Sequence, residues 1–152
     1  MTLHEKNVLQ FLKDHCVKHG RFTLASGAVS NMYVDARRMT LSSRICDDLG
    51  YAVHDRIHPC KPDALGGPAC GAIPLAALTV MVASANGKLL EGFWVLDRPK
   101  THGLRHTIEG NLESGWRVVL VDDVVTTGKS LVHAVREVRA AGAEVVLVLA
   151  LL

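Results

Sequence analysis

The run VVLVDDVVTTGKS, Val118 to Ser130, constrains the fold more than any other stretch of the chain. Val118, Val119, Leu120 and Val121 form a continuous aliphatic segment, the pattern of a strand covered on both faces in a parallel sheet. A helix pattern follows at once. Leu131, Ala134, Val135 and Val138 share one stripe, while Arg136, Glu137 and Arg139 fall on other faces, and Ala141-Gly142-Ala143 supplies a stop. Strand, polar turn and helix in this order are half of a βαβ unit, so the chain is expected to build an α/β fold with right-handed crossovers.

The turn itself carries chemistry. Thr126 and Thr127 stand before the predicted helix, where backbone N–H groups, two hydroxyls and the positive end of the helix dipole favour an anion. Asp122 and Asp123, expected at the exposed end of the strand, would repel a bare phosphate unless they bind another part of the same ligand. A vicinal diol suits them, because carboxylates accept hydrogen bonds from hydroxyls. The turn therefore reads as a cradle for ribose 5-phosphate, with an ordinary capped strand-to-helix turn as the competing explanation. Gly128-Lys129-Ser130 looks like the end of a nucleoside-triphosphate loop, but that motif needs glycine where Asp123 stands.

VVLVDDVVTTGKS resembles the phosphoribosyl-pyrophosphate (PRPP) signature of type I phosphoribosyltransferases, and further segments resemble the orotate branch of that family. Phe22 to Gly27 (FTLASG), with Ser30 and Tyr33-Val34-Asp35, is similar to its N-terminal motif. Gly67 to Leu75 (GPACGAIPL) is similar to its pyrophosphate loop. Lys100 to Gly103 (KTHG), with Ile108-Glu109-Gly110, is similar to its catalytic loop. The resemblance covers nearly the whole chain and implies a parallel sheet flanked by helices with a small N-terminal hood. It implies transfer of a 5-phosphoribosyl group from PRPP to a base, orotate first, giving orotidine 5'-monophosphate and pyrophosphate.

Residue roles follow from the same resemblance. Lys100, His102 and Asp123 are the implied catalytic residues. PRPP would be held by Asp122, Asp123, Val124, Val125, Thr126, Thr127, Gly128, Lys129 and Ser130, with Gly67, Pro68, Lys100 and His102. The base would be held by Ser26, Gly27, Tyr33, Asp35 and Thr126. Mg2+ is the implied cofactor, held mainly by PRPP rather than by side chains. A homodimer with loops shared between subunits is also implied.

This chain departs from the family pattern at several points. Leu96-Asp97-Arg98 stands where relatives carry Arg-Lys-Glu, Ala25 replaces a lysine, and Lys129 replaces a glycine. The chain ends at Leu152, where relatives continue into a loop that helps bind the base carboxylate. Truncation and altered orotate recognition are both consistent with that. Two other readings therefore stay open beside transfer to orotate or to a different base. One is a PRPP- or nucleotide-binding regulatory paralogue impaired in turnover; the other is a subunit whose partner completes the site.

The remaining features bound these readings. With 152 residues and 49% hydrophobic composition, a single domain with a real core is expected, residues 1–60 giving the helix and hood and 61–152 the PRPP-binding core. A net charge of +2 argues against a general nucleic-acid binder. The apolar run Ala72 to Ala85 is too short to span a membrane, and the first residues lack a signal peptide's apolar core, so a cytoplasmic location without a membrane partner is expected. Cys16, Cys46, Cys60 and Cys70 contain no CxxC pair and read as reduced thiols. His15/His19, His54/His58 and His102/His106 have spacing that places two imidazoles on one helix face, but helix-end charge is the preferred explanation over a metal site for the first two pairs.

The periodicity predicts helices over 3–18, 42–57, 72–85 and 129–141. It predicts strands over 22–24, 31–35, 64–66, 92–96, 117–121 and 144–151, and a long polar loop over 97–113.

Overall fold

The computed structural model describes residues 1–23, 27, 29–98 and 107–152. Helix α1 (Leu3–Phe11) begins with a reciprocal cap: the Thr2 side chain accepts from the Glu5 amide, and the Glu5 carboxylate accepts from the Thr2 amide. A wider π turn, Leu12–Cys16, follows and buries Leu12 and Cys16. Strand β1 (Val17–Thr23) then pairs antiparallel with β2 (Val29–Val34), the two forming a separate hairpin sheet.

The expected helix over 3–18 is thus cut short, and Gly20 lies inside β1 rather than ending a helix. The apolar spacing through Val8, Phe11, Leu12 and Cys16 does continue, and these residues pack on the core. Pairing of Val17 with Val34 takes the chain over into the hairpin, a long-range contact that local periodicity does not encode. His15 and His19 consequently do not share a helix face.

Short helix α2 (Arg37–Thr40) leads to α3 (Cys46–Ile57), which starts four residues later than expected because 41–45 form turns. Helix α4 (Ala72–Ala85) crosses α3 closely. A Cβ on Gly50 would stand 2.8 Å from Val82 Cγ2, so glycine at that crossing permits the approach.

The main sheet has the order β5-β4-β3-β6-β7, comprising β3 (Ala64–Gly66), β4 (Glu91–Val95), β5 (Ile108–Gly110), β6 (Arg117–Asp122) and β7 (Glu144–Ala150). β4, β3, β6 and β7 are parallel, and β5 runs antiparallel to β4. β5 lies within the segment expected to be a loop. It is three residues long, and at Gly110, φ +96°, a Cβ would stand 2.6 Å from the Gly92 carbonyl oxygen of β4.

Central strand β6 is buried from Val118 to Asp122, as its aliphatic run predicts. One face packs through Val119 and Val121 with Leu65, Leu75 and α3. The other packs through Val118 and Leu120 against α5 (Lys129–Ala140), whose Leu131, Ala134 and Val138 supply the predicted stripe. β3 and β6 are neighbours whose following segments lead to helices on opposite faces, so their C-terminal ends open a crevice where α/β folds bind ligands.

Candidate active site

Three segments meet at that sheet edge around a cleft of about 370 Å³. The hood side contributes Tyr33, Asp35 and Arg37, the segment after β3 contributes Cys70, Gly71 and Pro74, and the turn after β6 contributes Asp123, Val124 and Thr126. These three segments lie far apart in the sequence, and the fold brings them to one place.

Asp122 is the last residue of β6 and is only 9% exposed, so the expectation of an exposed side chain is corrected. Burial pushes its carboxyl up to about 6, and the neighbouring Asp123 charge adds to that. The backbone closes around both acids. The Asp123 amide donates to Asp122 Oδ1 at 3.0 Å, and the Val124 amide donates to Asp123 Oδ1 at 2.7 Å.

Gly71 completes the enclosure: a Cβ there would lie 2.5 Å from Asp123 Oδ1 and 2.6 Å from Asp122 Oδ1. The glycines of this segment therefore do different jobs. Gly67, which the sequence assigned to ligand binding, is buried, and its carbonyl accepts from the Val95 amide at 2.8 Å. A Cβ on Gly67 would stand 2.0 Å from the Val121 carbonyl oxygen, so glycine there lets β3 and β6 lie together. Pro68 is buried beside it and bridges to Val95, extending the pairing with β4.

In the turn after β6, Val125 packs on the core, and its amide donates to the Leu152 carbonyl at 2.9 Å. Thr126 and Thr127 are exposed, and Gly128 takes the left-handed conformation, φ +72°, that starts α5. Lys129 and Ser130 form the exposed first turn of that helix. Five consecutive residues, 126–130, thus surround one helix N-terminus, the arrangement that favours a phosphate.

The hood residues are less uniformly placed. Gly27 is exposed at φ +84°. The Tyr33 ring packs at 5.6 Å from Phe22, and Asp35 is held by its amide to the Cys16 carbonyl. Ser26, Ala25, Lys100, His102 and His106 lie outside the described residues, as does Gly103.

Arg37, Cys70 and Pro74 line the cleft without having been singled out as ligand contacts from the sequence. Among the described residues, no group of three or more candidate metal ligands converges. His15 instead contacts Arg44 at 2.7 Å, and the His54 and His58 rings sit 5.6 Å apart at the end of α3. No disulfide joins Cys16, Cys46, Cys60 or Cys70, of which Cys16 is buried and Cys70 exposed.

Comparison with known proteins agrees with the geometry. The phosphoribosyl transferase domain family profile matches residues 38–152. Orotate phosphoribosyltransferase of Streptomyces coelicolor is 43% identical over 148 residues, covering 97% of this chain and 81% of the relative. The enzyme of the same name from Rhodopirellula baltica is 38% identical, covering 95% of this chain and 78% of the relative. Among solved structures, Mycobacterium tuberculosis orotate phosphoribosyltransferase in complex with PRPP superposes with a TM-score of 0.77 at 30% identity, covering 97% of this chain and 81% of that one. Leishmania donovani adenine phosphoribosyltransferase, at 16% identity and a TM-score of 0.64, shares the fold alone. No helix among the described residues is long and apolar enough to cross a membrane. The chain belongs to the phosphoribosyltransferase family, in its orotate phosphoribosyltransferase branch.

Proposed function

We propose that this protein transfers the 5-phosphoribosyl group of PRPP to orotate, forming orotidine 5'-monophosphate and pyrophosphate in pyrimidine nucleotide synthesis. The observation that carries this reading is the enclosure of two adjacent carboxylates, Asp122 and Asp123, between the Gly71 backbone and a helix N-terminus. Relatives named orotate phosphoribosyltransferase over most of this chain support orotate as the base.

In the reaction the anomeric C–O bond to diphosphate breaks, a ring nitrogen of the base forms the new C–N bond, and the proton on that nitrogen is released. Positive charge grows on the ribose ring as negative charge grows on the leaving group, so the site must fix the sugar and balance both. Asp122 and Asp123 would accept the ribose hydroxyls, with Asp123 also facing the developing ring charge. Val124 to Ser130 would hold the 5-phosphate at the start of α5, and Gly67 and Pro68 would shape the diphosphate loop from beneath. Lys100 and His102 would supply cations to the diphosphate, and Ser26, Gly27, Tyr33, Asp35 and Thr126 would surround the base.

Mg2+ would take its ligands mainly from PRPP oxygens and water. The same reading includes a cytoplasmic homodimer, a single domain divided into hood (1–60) and core (61–152), and no nucleic-acid or membrane partner.

The direct test is pyrophosphate release from PRPP and Mg2+ with orotate, uracil and purine bases supplied in turn. Release with orotate alone is the expected result. PRPP binding without release for any base would make the protein regulatory, and release only after another chain is added would make it an incomplete subunit.

Protonation gives a further prediction. Asp122 accepts ligand hydrogen bonds as a carboxylate, so PRPP affinity should fall as the pH drops through about 6. A loss of about tenfold between pH 7.5 and 5 is expected. Because PRPP phosphates titrate in the same range, the check is calorimetry on Asp122→Asn, in which the protein's part of this slope should vanish.

A further inference from the structure

The diphosphate of PRPP needs cations, yet the segment that should meet it, Gly67 to Gly71, contains none. Leu96 and Asp97 bring none from the end of β4 either, and Asp123 adds negative charge to the cleft. Among the described residues lining that cleft, Arg37 is the only side-chain cation. It stands at the first position of α2, facing a wall made by Cys70, Gly71 and Pro74. Its Nε donates to Asp35 Oδ1 at 3.2 Å, and Tyr33 lies beside the same guanidinium. The Arg37 side chain is 68% exposed, so a guanidinium braced on one edge still offers its remaining N–H groups to a ligand. Helix α4 starts at the same wall with no acidic side chain in its first turn, so its positive dipole end adds to the field.

We propose that Arg37 is the diphosphate anchor of this site, held in place by Asp35, and that it supplies charge the loop after β3 lacks. This rests on the reading of the cleft as a PRPP site. The planar guanidinium suits two phosphate oxygens at once, which a lysine at the same point would grip as a single charge. Asp35 is then a positioning residue that keeps the arginine extended across the cleft, in addition to any contact with the base.

The test uses the full chain with Mg2+ and measures pyrophosphate and PRPP affinity by calorimetry, with the KM for orotate measured in parallel. Arg37→Ala should weaken both phosphate ligands by about tenfold or more, the loss of a charge-assisted pair of hydrogen bonds. Arg37→Lys should recover part of that affinity, with orotate KM unchanged within about twofold in both Arg37 variants, and Asp35→Asn should lose less phosphate affinity than Arg37→Ala. Thermal melting of each variant identifies any loss of fold, and Arg37→Lys keeps the charge if alanine is not tolerated.

Unchanged pyrophosphate affinity in folded Arg37→Ala, in a protein whose wild type binds PRPP, overturns the anchor alone. A rise confined to orotate KM also overturns it and moves the guanidinium to the base carboxylate. Failure of the wild type to bind either phosphate ligand overturns the PRPP reading and the anchor together.

Discussion

Asparagine at both Asp122 and Asp123 is expected to weaken PRPP binding by at least about a hundredfold, since each lost charge-assisted hydrogen bond costs about 1.5–3 kcal/mol. The fold should not suffer, and at neutral pH it should gain. Asp122 is buried with its carboxyl pushed up to about 6, above the 3.8 of an unperturbed aspartate. Between those values the folded state binds more protons than the unfolded chain, so stability falls as pH rises through that window. Above it the cost of the buried charge is fully present, on the order of 1–3 kcal/mol, and an amide escapes it. Chemical denaturation of Asp122→Asn without ligand should show it more stable than wild type at pH 7.5, the difference closing below about pH 4. Equal PRPP affinity in the double variant would remove the ribose assignment. A destabilised single variant at pH 7.5 would remove the account of the buried charge.

The largest expected loss of stability comes from Gly67→Ala. The new methyl would stand 2.0 Å from the Val121 carbonyl oxygen and 2.9 Å from the Ala72 Cβ, and both neighbours are fixed by backbone. Relief requires β3 and β6 to separate at their C-terminal ends, so a loss of about 3 kcal/mol is expected. For a chain of this size that lowers the melting temperature by roughly 6–12 °C. Gly92→Ala is the control. Its methyl would meet only Val80 Cγ2, at 3.5 Å, an ordinary contact. Calorimetric melting of the two variants should therefore differ widely, and equal melting temperatures would show that the strands can adjust.

Local signals made much of this molecule legible. The bounds of α4 follow from a predominantly apolar run after Gly71, and β6 with α5 follow from the change of period from a continuous strand to a helical stripe. Asp122, Asp123 and the two threonines were legible because such residues between a buried strand and a helix have few structural explanations. Other features depend on contacts between distant segments. β5 exists because Ile108 pairs with Val95 and Gly110 with Phe93, which the short sequence around Glu109 does not announce. Arg37 is one of several arginines between 37 and 44, and only the approach of α2 to Cys70 and Gly71 distinguishes it. The burial of Asp122 was hidden for the same reason: the strand end is covered by Gly71, more than fifty residues earlier in the chain.

The hairpin β1–β2 forms its own sheet, and polar pairs from α1 to α3, His4 with Asp48 and Glu5 with Arg56, tie the N-terminal segment that precedes it to the core. The turn proposed to hold the sugar phosphate lies between β6 and α5. In the proposed reading, most of the wall that meets the base lies in the hood and most of the cradle that meets the sugar phosphate lies after β6, with Thr126 and Arg37 reaching across between them. Substitutions in the hairpin can alter which base is accepted while the sugar-phosphate turn stays intact, so the two specificities are free to evolve at different rates.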